Sequence, residues 1–287
     1  MKGIVLAGGN GTRLHPLTLS VSKQLMPIYD KPMIYYPLST LIAAGIHEIL
    51  IISTPKDLPL FERLLGDGSH WGCVFSYAEQ NEPKGLAEAF IIGEIFIGSS
   101  SVALVLGDNL FHGGKLAQQL AGLNKMDGGH IFAYQVKDPT RYGVVEFDAN
   151  NRIISLEEKP NNPKSSYAVP GIYFYDNTVV QKARALQPSD RGELEITDIN
   201  KRYLAEQKLH LSPLETGSAW LDTGTIESLM EASQYVQTLQ SRQGVLVGSP
   251  EVAAYTSNAI SLEQLLALAD KLSHTPYGEA IKSLTKQ

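Results

Sequence analysis

The stretch that decides the fold is Lys2-Gly3-Ile4-Val5-Leu6, which runs without a break into Ala7-Gly8-Gly9-Asn10-Gly11-Thr12-Arg13. A continuous apolar run, rather than an alternating one, predicts a strand covered on both faces, as in a parallel sheet. Residues 48–53, 73–78 and 101–106 have the same texture and predict further strands. Between them, residues 33–44, 57–65 and 85–97 are long enough for the crossover helices that parallel strands require, although Pro37 interrupts the first. The glycine-rich turn then falls at the carboxyl end of a parallel strand, where open α/β sheets bind ligands.

The texture changes after about residue 128. Strand-like runs at 130–136, 142–147, 152–157 and 169–175 alternate with Pro, Asn and Asp turns and predict an added mixed β segment. From Glu195 onward the pattern is mainly helical, including 225–239 and 260–286. The expected architecture is α/β: a mostly parallel, Rossmann-like central sheet flanked by helices. Residues 1–242 would form the core, with the added β segment at about 130–175 within it, and residues 243–287 a helical segment packed on that core.

A chain of 287 residues, 43% hydrophobic and 19% charged, can bury a substantial core. Its net charge of −6, with the basic residues spread along the chain, argues against a nucleic-acid partner, which needs a basic face. The single cysteine, Cys73, lies in an apolar run and asks for no oxidising compartment. The apolar start at Met1 to Leu6 is too short for a secretory core, and no run approaches the roughly 18 apolar residues of a membrane span. The expectation is a soluble cytoplasmic protein without a membrane partner.

Glycines let backbone N–H groups approach phosphate, and Arg13 adds a fork suited to phosphate oxygens. Neither familiar phosphate fingerprint is present: Leu14 stands where the dinucleotide pattern needs glycine, and the P-loop lysine is missing. Ten residues on, Ser22-Lys23-Gln24-Leu25-Met26-Pro27 offers a second cation and a carboxamide. Residues 79–89 leave a strand, turn at Pro83 and Gly85 and start a helix, so that free N–H groups and the Gln80 amide could read a base edge. Asp108 ends the fourth predicted strand, and Asp222 lies in Trp220-Leu221-Asp222-Thr223-Gly224. The two could share Mg²⁺, or Asp222 could merely cap the helix that follows. Lys159 and Arg191 are two further cations in polar stretches, each equally readable as surface charge. Zinc-hydrolase and serine-nucleophile motifs are missing from the sequence.

Together, residues 6–13, 22–27, 106–109, 157–160 and 220–224 resemble the motifs of the sugar nucleotidyltransferases in order and spacing, a likeness that extends from Met1 to about Gln243. The resemblance implies dTTP and glucose 1-phosphate as partners and Mg²⁺ as cofactor. It implies that Leu6, Ala7, Gly8, Gly9, Gly11, Thr12 and Gly85 hold the nucleotide, with Gln24 and Gln80 near the base and Arg13 and Lys23 at the triphosphate. Asp108 and Asp222 would bind the metal. Tyr142, Gly143, Glu158 and Val169 would hold the sugar, and Lys159 and Arg191 its phosphate. Arg13, Lys23, Asp108 and Lys159 would be the catalytic set, in a homo-oligomer, a tetramer by the same likeness. Pro170 and Lys84 depart from residues common in relatives. So do Thr216 and Thr256, which stand where relatives carry the arginines of a second, regulatory nucleotide site.

Charge explains the number of cations. Two like unit charges about 5 Å apart repel by roughly 3 kcal/mol at an effective dielectric near 20, and a sugar phosphate meeting a triphosphate makes several such pairs. The sugar phosphate is already ionised near neutral pH, so no general base is expected.

Overall fold

A computed structural model describes residues 1–9 and 11–284, leaving aside the side chains of 124 and 125; Asn10 of the quoted loop and residues 285–286 of the expected helical tail lie outside the described residues. The chain opens with β1 (Lys2–Leu6), a short hairpin of β2 (Pro27–Ile28) and β3 (Lys31–Pro32), and α1 (Tyr35–Ala43). It continues through β4 (Glu48–Ser53), α2 (Leu58–Leu65), β5 (Val74–Glu79), α3 (Glu88–Ile92), α4 (Glu94–Ile97) and β6 (Val102–Leu106). Strands β6, β1, β4 and β5 lie side by side in that order and are parallel throughout. The chain leaves β1 toward β4 but returns from β5 to the other side of β1. That reversal opens a crevice at the carboxyl ends of β1 and β6.

The continuous apolar runs are explained by burial on both faces. Ile4, Leu6, Leu50, Ile52 and Leu104 point to one side, where Phe90, Val179, Ile199 and Tyr203 cover them. Val5, Ile49, Ile51, Ala103 and Val105 point to the other, under Leu38, Ile42, Ala254, Leu265 and Tyr277. Each such apolar side chain contributes about 1.5–3 kcal/mol by leaving water, and truncating the fully buried Phe90 to Ala costs about 3–5 kcal/mol. Pro37 is tolerated because it occupies the first turn of α1, where the missing N–H would have no helical partner. The expected helix over 85–97 is divided at Gly93, whose added Cβ would stand 3.0 Å from both Ala89 O and Ile4 Cδ1.

The second half comprises β7 (Asn109–His112), α5 (Leu116–Ala121), β8 (Gly129–Gln135), β9 (Gly143–Phe147), β10 (Ile153–Glu158), β11 (Tyr167–Ala168), β12 (Ile172–Tyr175), α6 (Val179–Arg184), α7 (Ile196–Ala205), β13 (Leu209–Pro213) and β14 (Ala219–Asp222). It ends in α8 (Ile226–Gln243), α9 (Pro250–Thr256), α10 (Leu262–Lys271) and α11 (Pro276–Leu284). The added β segment joins the central sheet itself: β12 pairs antiparallel with both β6 and β8, and β11 links β8 to the β9–β10 hairpin. Among the described residues the sheet has ten strands. Helix α9 packs on α1, and α10 and α11 pack together beyond it.

Two strands occur where the sequence reads as mainly helical: β13, parallel to β8, and β14, antiparallel to β7. They are short and only partly buried, so no apolar run marks them, and partners distant in sequence hold them as strands. The second is decisive for the site, because its register sets Asp222 opposite Asn109.

Candidate functional site

At the end of β1 the chain crosses the carboxyl edge of the sheet. The ladder extends one residue past the strands, with Ala7 N donating to Ile52 O (2.8 Å) and Gly107 N to Leu6 O (2.9 Å). A Cβ on Gly8 would stand 2.4 Å from Gln80 Oε1 and displace that amide. Gln24 and Gln80, each 4% exposed, are fixed amides. Gln24 donates to Gly8 O (3.3 Å) and accepts from Ser22 Oγ (3.0 Å), while Gln80 donates to Glu88 Oε2 (2.8 Å). The same Glu88 oxygen accepts from Lys84 N (3.2 Å) and so ties the 83–87 turn to Gln80. Gly85 (φ 102°) completes that turn, where a Cβ would lie 2.4 Å from Leu194 O. Leu6, Gly8, Gly9, Gln24, Gln80, Gly85 and Leu86 line a recess of about 200 Å³. Apolar walls with two oriented amides suit a flat, hydrogen-bonding ring.

Asp108 emerges from β6 beside this recess. Thr223 clamps its backbone, donating from N (3.2 Å) and Oγ1 (2.8 Å) to Asp108 O. Lys23 Nζ lies 2.5 Å from Asp108 Oδ2, and Asn109 Nδ2 donates to Oδ1 (2.8 Å). Asp222 does not cap α8. Thr225 does, in a reciprocal box with Ser228, which leaves the Asp222 carboxylate for other work. Burial first, and then the charge of Asp108, raise the Asp222 carboxyl above its usual range, against the pull of Lys23, Arg141 and Arg13. Two neighbouring carboxylates that repel each other in a partly buried place, open toward a cleft, form a donor set that fits a hard divalent cation completed by phosphate oxygens and water.

Arg13, in the short helical turn Thr12–Leu14 that follows Gly11, lines both the opening beside the glycine loop and a larger cleft of about 600 Å³. This cleft meets the recess at Leu86, Leu106, Asp108 and Glu193. Tyr142, Gly143, Glu158, Lys159 and Val169 all line it. Tyr142 O accepts from Lys159 N (3.0 Å), and Gly143 O from Val169 N (2.8 Å), so these residues are held as one unit. Glu158 Oε2 accepts from Thr197 Oγ1 (2.5 Å), and Lys159 Nζ stands 3.8 Å from Glu158 Oε1.

Arg191 does not itself line the cleft. Its guanidinium donates to Glu195 Oε1 from Nε (3.2 Å) and Nη2 (2.7 Å) and stands 3.3 Å from Glu193 and 3.6 Å from Glu158, acids that do line it.

Several contributors had no role in the sequence reading. Asn109 Oδ1 accepts from Trp220 Nε1 (2.6 Å) and Gly171 N (3.2 Å), fixing three segments of the cleft around one amide. Trp220 packs edge-on against Tyr142, with ring centroids 4.9 Å apart. Thr197, Glu193, Glu195 and Arg141 are the others. Adjacency is the one signal that could have raised them: Asn109 follows Asp108, and Arg141 precedes Tyr142.

The chain as a whole is similar to known proteins. A glucose-1-phosphate thymidylyltransferase of Mycolicibacterium smegmatis is 57% identical over 284 residues, covering 99% of each chain. One of Mycobacterium tuberculosis is 54% identical over 287 residues, covering 100% of each. Among solved structures, a UDP-glucose pyrophosphorylase complexed with UDP-glucose superposes with a TM-score of 0.73 at 26% identity, covering 83% of this chain and 98% of its own. The family model described as nucleotidyl transferase matches residues 2–238, and the chain belongs to that family.

Proposed function

We propose that the chain transfers a deoxythymidylyl group from dTTP to α-D-glucose 1-phosphate, giving dTDP-glucose and pyrophosphate. One observation supports the reading: Asp108 stands where the amide-walled recess meets the larger cleft, with Lys23 on its carboxylate, and Asp222 and Arg13 line both that cleft and the opening beside the glycine loop. The recess takes the base against Gln24 and Gln80. The cleft takes the hexose against Tyr142, Gly143, Glu158 and Val169, with Lys159 at its phosphate; Arg191, held by Glu195 beside the cleft, would reach that phosphate only by leaving its carboxylate partners. A sugar-phosphate oxygen then attacks the α-phosphorus in line as the bond to pyrophosphate breaks. Asp108 and Asp222 would hold Mg²⁺, which would supply charge neutralisation to the phosphates. The side chains orient both anions and offset their repulsion; no proton has to be removed from the nucleophile. Relatives named glucose-1-phosphate thymidylyltransferase over essentially the full length support the choice of substrates.

The product would feed dTDP-deoxysugar synthesis, such as that of the rhamnose nucleotide, in a cytoplasmic homotetramer. Among the described residues no helix is long and apolar enough to cross a membrane. A second reading, UTP as donor, draws on the structural likeness to the UDP-glucose enzyme. Pyrophosphate release measured with dTTP or UTP against a panel of hexose 1-phosphates, with Mg²⁺, separates the two. The expected best pair is dTTP with glucose 1-phosphate; a preference for UTP, or no release with any pair, sinks the primary reading.

A further inference from the structure

The segment between β8 and β9 is a built turn. Thr140 N (3.1 Å) and Thr140 Oγ1 (2.6 Å) donate to Asp138 Oδ1, and Tyr142 N donates to Pro139 O (3.0 Å). It presents two successive residues to β14. Tyr142 packs against Trp220, and Arg141 Nη2 stands 3.6 Å from Asp222 Oδ2. Trp220 and Asp222 are two residues apart on a strand and share a face, which is why neighbours on the turn reach both. Arg141 also lies over its own neighbour's ring, 5.7 Å from the Tyr142 centroid.

Each carboxylate therefore has its own cation: Lys23 on Asp108 at 2.5 Å and Arg141 on Asp222 at 3.6 Å. The grips differ. Lys23 is only 10% exposed, whereas Arg141 is 44% exposed and its contact is longer than the roughly 2.7–2.9 Å of a charge-assisted hydrogen bond. With Lys23, Arg141 and Arg13 beside them the two carboxylates are already offset; a dication added between the carboxylates leaves these side-chain cations in surplus. Arg141 lines the same cleft as Arg13 and Lys159, so the phosphate oxygens of the reacting substrates are the anions that the cleft would bring to it. Its planar fork suits phosphate oxygens.

We propose that Arg141 is a further catalytic residue: its guanidinium sits on Asp222 in the free enzyme, competes there with the divalent ion, and moves to phosphate oxygens when substrates bind. Only ion pairs exchange, and no covalent bond is involved. The inference rests on the nucleotidyl-transfer reading of this site.

Arg141→Gln and Arg141→Lys test it, with Mn²⁺ binding to the free protein followed by electron paramagnetic resonance and steady-state kinetics with dTTP and glucose 1-phosphate. Arg141→Gln should bind Mn²⁺ about two- to fivefold more tightly, the size of a partly exposed ion pair removed. Its turnover should fall about 10- to 100-fold, as for one lost charge-assisted contact, and the lysine variant should recover part of it. Unchanged or weaker Mn²⁺ binding overturns the competition with metal, and unchanged turnover overturns the catalytic role. Asp222→Asn is measured alongside. If it keeps full Mn²⁺ affinity and turnover, the metal-assisted reading itself fails; if it loses both while Arg141→Gln changes nothing, only the Arg141 proposal falls.

Discussion

Asp222 shares a site with Asp108 because it pairs in register with Asn109 across the β7–β14 ladder. The relationship has an energetic cost, since burial and the charge of Asp108 both work against an ionised Asp222. Its folded-state pKa lies above the ordinary 3.8, so the fold binds the proton better than the unfolded chain does. The ionised carboxylate thus destabilises the protein above that range, and the penalty vanishes as pH falls below about 3.8. Asp222→Asn should accordingly raise the melting temperature at pH 7 without metal while lowering turnover at least about a hundredfold, through loss of a metal ligand. Asp108→Asn should show the same loss of turnover without the gain, because it strands Lys23. Calorimetry and pyrophosphate assays check both; a less stable Asp222→Asn, or full activity in either variant or in excess chelator, contradicts the assignment.

The two lysines should separate in kinetics. Lys23 is nearly buried against Asp108, while Lys159 is more exposed and lines the larger cleft. Lys159→Ala should therefore impair use of glucose 1-phosphate in KM or turnover, by about 1.5–3 kcal/mol if the contact is dry in the complex. Lys23→Ala should impair use of dTTP and also destabilise the free protein, since two carboxylates then face each other with one cation fewer. A Lys159→Ala enzyme with unaltered glucose 1-phosphate kinetics would contradict this division.

Much of this site was legible in the sequence because its parts lie at ends of runs that local pattern defines. The apolar runs of β1 and β6 end in Leu6 and Leu106, and the residues that follow them must reach the carboxyl edge. What pattern could not supply was the pairing of β14 with β7, which has no apolar run to mark it, and hence the choice between capping and metal binding for Asp222. Thr225, three residues on, settles the capping question by taking that role itself. Arg191 was legible as a cation but not as one held by Glu158, Glu193 and Glu195, because Glu158 is distant in sequence and the local pattern does not say which way the side chains of Glu193 and Glu195 turn. Arg141 carries no signal of its own beside Tyr142, and Asn109, although inside the 106–109 motif, has no individual role until its partners Trp220 and Gly171 are in place.

Acid should weaken the fold through His130. Its imidazole, stacked near His210 across the β8–β13 pair and bonded to Ser212 Oγ (3.0 Å), is pushed down to about 4 by burial and then by the His210 charge. A folded pKa below the unfolded value of 6.5 means that the unfolded chain takes up the proton first. Stability from the neutral ring is then complete above about pH 6.5 and is lost as pH falls toward 4, by up to about 3 kcal/mol. Denaturant titrations of wild type and His130→Asn between these limits check the point. The variant should show a distinctly shallower slope, and equal slopes would remove His130 as the cause.

Regulation is the last prediction, and it concerns a recess of about 180 Å³ between α1, β7, α5 and α9, lined by Tyr36, His112, Ser249 and Thr256. Relatives in the resemblance place arginines of a feedback nucleotide site at the positions held here by Thr216 and Thr256. Thr256 Oγ1 donates to its own helix, at Val252 O (3.0 Å) and Ala253 O (3.2 Å), and offers no charge. His112, which lines the same recess, has its imidazole pKa lowered by burial, against the charged form that a phosphate would need. Lys115, the closest candidate replacement in sequence, stands 3.8 Å from Glu215. Losing two phosphate-facing arginines forfeits about 1.5–3 kcal/mol each, or about two to four decades of affinity for a nucleotide diphosphate sugar. Feedback by dTDP-L-rhamnose, titrated at saturating dTTP and glucose 1-phosphate, should therefore be weak. Introducing Thr256→Arg should strengthen it, because a guanidinium there faces the recess rather than satisfying its own helix. Submicromolar noncompetitive inhibition of the unaltered chain would show instead that backbone and neutral side chains suffice to hold the effector.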